Sequence, residues 1–64
     1  MEQEIRKIIN DVFYDLQVAC GDSLDAETLS DTVGDRMFDS NAEYRAMPYA
    51  QRRALTLKIA GSFV

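Results

Sequence analysis

The sequence predicts an all-α fold: a small helical bundle of three main helices plus a short helical turn, in a single domain spanning residues 1–64. Three observations lead there. Apolar residues recur at helical spacing along most of the chain, no stretch alternates long enough to compete as a strand, and turn or cap residues near Gly21, Asp25, Ser40 and Pro48 cut the chain into helix-sized pieces. Sixty-four residues allow one core with little to spare, because a chain this short buries only about 60% of the surface its unfolded form exposes.

The first helix is expected from Glu2 to Cys20. Ile5, Ile8, Ile9, Val12, Phe13, Leu16, Ala19 and Cys20 form one stripe, Glu2 and Glu4 sit where the helix dipole favours anions, and Gly21 is placed to end the helix with positive φ. The opposite face carries Glu4, Asp11 and Asp15. Gly21, Asp22 and Ser23 then lead to a second helix with Asp25 as its N-cap and Leu24 and Leu29 as a hydrophobic staple. Its core residues are expected to be Ala26, Leu29, Val33 and Met37, with Phe38 close behind. Gly34 costs this helix roughly 1 kcal/mol relative to Ala. It either admits a close neighbour inside a continuous helix, with the alanine face of the last helix as the neighbour expected, or ends the helix near Val33 as a C-cap.

Ser40 and Glu43 have the spacing of a capping box for a short helical segment through Tyr44 and Arg45. Pro48 biases Met47 toward extended backbone and suits the first turn of another helix, so the chain bends there. The last helix, Pro48 to Val64, has apolar residues on two faces: Ala50, Ala54, Leu57, Gly61 and Val64, with Ala60 at the edge, and opposite them Leu55, Ile59 and Phe63. A helix apolar on two sides is expected at the centre of the bundle. In this reading the small face admits the Gly34 region and the large face meets the first helix.

Composition argues against catalysis. Histidine is absent, which removes the commonest general base near neutral pH, and Cys20 lies on the apolar stripe beside Asp22, a setting for a buried core thiol. One cysteine forms no intrachain disulfide and, without histidine, no ordinary zinc site. The acidic linker Asp22–Asp25 lacks the twelve-residue calcium-loop pattern, and no phosphate-binding glycine loop is present. No cofactor, no metal and no enzymatic activity are therefore expected. The amino terminus has neither a basic start nor a sustained apolar run, and no segment is long enough to span a membrane, so a cytoplasmic location is expected.

The sharpest feature is the distribution of charge. All eleven carboxylate side chains lie within residues 1–43, whereas Arg45, Arg52, Arg53 and Lys58 follow them. Glu27, Asp31, Asp35 and Asp39 recur every four residues, giving on one continuous helix an acidic ridge with about 6 Å between successive positions, close to a phosphate interval. Like charges at this spacing each cost a few tenths of a kcal/mol, and acids near a helix C-terminus oppose the dipole. With Asp11, Asp15, Asp22 and Asp25 added from the first helix and linker, the acidic half could present a nucleic-acid-like surface to a partner's basic groove. Against this stand an ordinary solvated surface, neutralised by Arg36, Arg45, Arg52 and Arg53, and self-association, in which the acidic half of one chain meets the basic segment of another with Phe63 and Val64 buried between them; a monomer or weak homodimer is expected. A second functional reading uses Arg45, Tyr49, Arg52 and Arg53, together with Tyr44, as a nucleic-acid-binding cluster around the Pro48 bend. The net charge of −4 opposes it.

By size, acidity, missing catalytic residues and lone-domain organisation, the whole chain resembles the small acidic inhibitors that phages and mobile elements encode, including anti-CRISPR proteins and other nucleic-acid mimics. The resemblance lies in size and charge, without a shared motif. It implies inhibition of a host protein or complex that has a basic nucleic-acid-binding surface.

Overall fold

A computed structural model describes all residues 1–64 as four helices: α1 (Glu2–Cys20), α2 (Ala26–Ser40), α3 (Ala42–Ala46) and α4 (Tyr49–Gly61), with one 3-10 turn at Gly21–Ser23. The expected fold class, three main helices and a short helical segment, is what the chain adopts. α1 ends where Gly21 takes φ 59°, ψ −133°, a positive-φ conformation that side chains resist, and its amide closes the helix on the Gln17 carbonyl. Asp25 caps α2 as its sequence suggests, with Oδ1 accepting the Thr28 amide at 2.8 Å. Leu24 packs against the core that contains fully buried Leu29, as a staple should. Of the two readings of Gly34 the continuous helix is correct, since α2 runs through it to Ser40.

The central helix is α2. It packs against α1, α3 and α4, placing Leu29, Val33 and Met37, three successive positions four residues apart, against Ile5, Ile9 and Val12 of α1 and Ile59 and Ala60 of α4. The expectation that the last helix is central is therefore corrected. Its inward arc is also different. The buried residues of α4 are Thr56, Ile59 and Ala60, while Ala50, Ala54 and Gly61 are exposed and Val64 is half exposed. On a 100° wheel this arc falls between the two predicted faces, through Thr56, a polar residue that apolar periodicity passes over. The large face is partly borne out: Phe63, just beyond α4, meets Phe13 of α1 with ring centroids 6.3 Å apart.

What draws Thr56 inside is Tyr44. Tyr44 is buried, and its hydroxyl lies 2.6 Å from Thr56 Oγ1. Thr56 commits its single proton to the Arg52 carbonyl at 2.8 Å, so Tyr44 is the donor to Thr56. Both buried hydroxyls are thereby satisfied, which avoids the 1–3 kcal/mol or so that an unpaired buried hydroxyl costs. The group nearest a Cβ built at Gly34 is the Tyr44 hydroxyl at 3.4 Å, and not the alanine face of α4.

Other local expectations change as well. The cap of α3 is Asn41, whose Oδ1 accepts the Tyr44 amide at 2.9 Å; Ser40 instead finishes α2 and donates to the Arg36 carbonyl at 2.8 Å, so the Ser40–Glu43 capping box does not form. Asn41 Nδ2 also donates to Glu4 Oε2 at 2.6 Å, tying the start of α1 to the α2–α3 junction and fixing α1 and α2 as antiparallel neighbours. Met47 has extended backbone (ψ 146°), as a residue before proline does, but Pro48 is extended too (ψ 144°) and stands as the N-cap, so α4 runs Tyr49–Gly61 and is shorter at both ends than the expected Pro48–Val64. On α1, Ala19 is exposed and Cys20 only half-buried, so the thiol is not a core group; the first stripe is fully buried only at Ile5, Ile9 and Val12. Phe38, expected near the core, is 41% exposed.

Candidate partner-binding surface

The acidic ridge exists as a continuous surface feature because α2 is unbroken. Glu27, Asp31, Asp35 and Asp39 are all exposed along it. Their register, two residues out of step with Leu29, Val33 and Met37, places them about 160° from the buried stripe. The four acids are strung along the helix, and no three of them converge on one point.

One of the four is neutralised. Arg53 of α4 donates to Asp31 Oδ1 at 2.9 Å, and this hydrogen bond, reinforced by neighbouring negative charge, raises the guanidinium pKa above its already high ordinary value. The pair is largely open to water, with 67% of the Asp31 side chain exposed, so it contributes little to folding stability. Glu27, Asp35 and Asp39 make no side-chain hydrogen bond or ion pair.

Of the arginines that could have neutralised them, Arg45 and Arg52 are directed elsewhere, and exposed Arg36 forms no ion pair with them. Arg45 donates to the Phe38 carbonyl at 2.6 Å and more weakly to the Asp39 carbonyl at 3.4 Å, so it caps the C-terminus of α2, where a cation also favours the dipole. It thereby offsets part of the cost of Asp35 and Asp39 at the negative end of that helix. Arg52 donates to the Met47 carbonyl at 2.6 Å, and its guanidinium carbon lies 5.1 Å from the Phe38 ring centre and 5.5 Å from that of Tyr49. Arg45 approaches the same Phe38 ring at 5.9 Å. Arginine and aromatic side chains therefore form a connected ladder, Arg45–Phe38–Arg52–Tyr49, at one end of the ridge.

Ridge and ladder share a cleft of about 390 Å³ between α2 and the start of α4. α2 contributes Asp31, Gly34, Asp35 and Phe38 to its lining, α4 contributes Tyr49, Arg52 and Arg53, and Tyr44 of α3 completes it. Two of the sequence-predicted site groups are thus brought together. Asp11 and Asp15 are not joined to them: they are exposed on α1 beside Tyr14 (73% exposed) and Val18, and no hydrogen bond or ion pair links them to α2. Tyr44, counted with the basic cluster by its sequence position, is a core residue.

Sequence reasoning passed over Phe38 as a platform for guanidinium groups and Asn41 as the bridge to Glu4. Phe38 lies seven residues before Arg45, and the Arg45 acceptor is the Phe38 backbone carbonyl, which leaves no trace in side-chain pattern. No helix is long and apolar enough to cross a membrane. No family model, curated protein or solved structure matches the chain.

Proposed function

We propose that the chain is a small binding protein, not an enzyme, that modulates a nucleic-acid-binding protein or complex in the cytoplasm by occupying its basic surface with the α2 ridge. The observation that supports this most directly is the uneven use of charge: Glu27, Asp35 and Asp39 are exposed and unpaired, while Arg45, Arg52 and Arg53 each have an internal acceptor. Carboxylates free of internal partners are available to a cationic surface, and their spacing along one helix suits a groove that otherwise holds a phosphate backbone. On this reading the protein acts as an inhibitor of the phage-encoded, anti-CRISPR or DNA-mimic type, and α1 and α4 serve as the scaffold behind the ridge.

The test is capture of a partner from extracts by immobilised protein, with duplex DNA as competitor, using the wild-type chain and Glu27→Lys/Asp35→Lys/Asp39→Lys. Asp31 is left in place because it pairs with Arg53. The expected result is a captured nucleic-acid-binding protein that DNA displaces and that the triple variant, with an unchanged helical circular dichroism spectrum, no longer retains. Equal retention by the triple variant, or capture indifferent to DNA, would refute the reading.

A further inference from the structure

We infer that the cleft between α2 and α4 is the anchor point of this surface and that it takes an arginine side chain of the partner in preference to a lysine. The inference rests on the ridge reading and adds to it a position and a chemical preference.

Four charged groups line the cleft: Asp31, Asp35, Arg52 and Arg53. Arg53 and Asp31 neutralise one another at 2.9 Å. Arg52 is held by the Met47 carbonyl and by two aromatic rings and makes no ion pair with Asp35. Asp35 is left as the carboxylate with no hydrogen-bond or ion-pair partner, and Tyr49 lines the same cleft. Tyr49 is 66% exposed, so its ring has free surface beyond the contact with Arg52. A planar guanidinium entering here can lie against Tyr49 and donate two N–H groups to Asp35 at once, a geometry an ammonium cannot reproduce. It would add one rung to the ladder of alternating guanidinium and aromatic groups that the protein already builds from its own side chains. Gly34 keeps the space between the walls open, since a side chain there would project toward the Tyr44 hydroxyl.

The probes are N-acetyl-arginine amide and its lysine and aspartate counterparts, titrated at low ionic strength into the isotopically labelled chain while amide resonances are followed. The expected result is saturable shifts centred on Gly34, Asp35 and Tyr49 with the arginine probe, and binding about two- to five-fold tighter than with lysine, the range a solvent-exposed cation–π contact gives. Asp35→Asn and Tyr49→Ala should each abolish the preference. Neither residue is in the core, and the helical spectrum of each variant verifies its fold. Equal response to arginine and lysine, shifts centred on Asp11 and Asp15, or a stronger response to the aspartate probe would each overturn the anchor. This failure is separable from failure of the ridge reading. An equal arginine and lysine response alongside ridge-dependent capture removes the anchor alone, whereas capture that survives ridge reversal removes the functional reading whatever the cleft prefers.

Discussion

The acidic ridge of α2 and the arginine corner around α3 and α4 border the same cleft, yet they use charge in opposite ways. Arg45, Arg52 and Arg53 are engaged by the Phe38 carbonyl, the Met47 carbonyl and Asp31 respectively. Glu27, Asp35 and Asp39 point to water without a partner, although their four-residue spacing costs the helix stability. Arg45 and Arg52 thus have a structural role, joining α3 to the end of α2 and α4 to the Met47 bend. Of the ridge's unpaired anions, Glu27 favours the N-terminal dipole of α2, whereas Asp35 and Asp39 have no such role. A charge that costs stability and holds nothing is the better candidate for an external partner, and this contrast is why the basic cluster reads as architecture and the acidic one as a binding surface.

The largest effect is expected at the corner. Thr56→Val removes the acceptor of the buried Tyr44 hydroxyl and the donor to the Arg52 carbonyl, and should lower stability by about 1–3 kcal/mol in chemical denaturation. Tyr44→Phe leaves the Thr56–Arg52 bond in place and should cost less, about 1 kcal/mol. If Thr56→Val is neutral, the corner is not held by this pair.

A smaller effect is expected at the junction of α2 and α3. Asn41→Asp keeps an oxygen for the Tyr44 amide but sets a second carboxylate against Glu4, where the side-chain amide now donates at 2.6 Å. The loss should be about 1 kcal/mol near neutral pH and should be largely recovered by adding Glu4→Gln. A penalty for Asn41→Asp that Glu4→Gln leaves untouched would show that the bridge to α1 is not its source.

The smallest effect separates the acids from one another. Asp25 is an acid outside the ridge that is engaged internally, and the Thr28 amide lowers its pKa below the ordinary 3.8. Because the folded-state value is the lower one, the ionised cap stabilises the fold fully above the unfolded-state pKa, and the benefit is lost as pH falls through the folded-state value. Asp25→Ala should therefore melt below the wild type near neutral pH, and the gap should narrow once the pH drops below about 3.8. A gap that is constant with pH would mean that the carboxylate is not the capping group.

Much of the fold is legible in the sequence because its boundaries are set locally. Gly21, Asp25 and Pro48 act on backbone within a few residues of themselves, and the Ile5–Ile9–Val12 and Leu29–Val33–Met37 stripes repeat with the helix. The orientation of α4 could not be read this way. It depends on Tyr44 being carried inside by a five-residue helix and on its hydroxyl finding Thr56 twelve residues later, a tertiary requirement that outweighs the apolar preference of Ala50 and Ala54. The same holds for the candidate site. The spacing of Glu27, Asp31, Asp35 and Asp39 was legible, and so was the clustering of Arg45, Tyr49, Arg52 and Arg53. That two of the three arginines would be claimed by backbone carbonyls was not, since every residue offers a carbonyl and geometry alone decides which one is reached. Asp11 and Asp15 matched the ridge in type, but their place on α1 is set by packing that sequence spacing does not encode.

If the ridge is the binding surface and the corner is scaffold, the two should respond to opposite probes. The most direct measurement compares amide resonance shifts caused by a short oligo-arginine peptide with those caused by a short single-stranded oligonucleotide at the same low ionic strength. Shifts are expected at Glu27, Asp35 and Asp39 with the peptide and none at Arg45, Tyr49, Arg52 or Arg53 with the oligonucleotide. Saturable oligonucleotide shifts at those four residues, with the ridge silent to the peptide, would reverse the assignment of binding surface and scaffold.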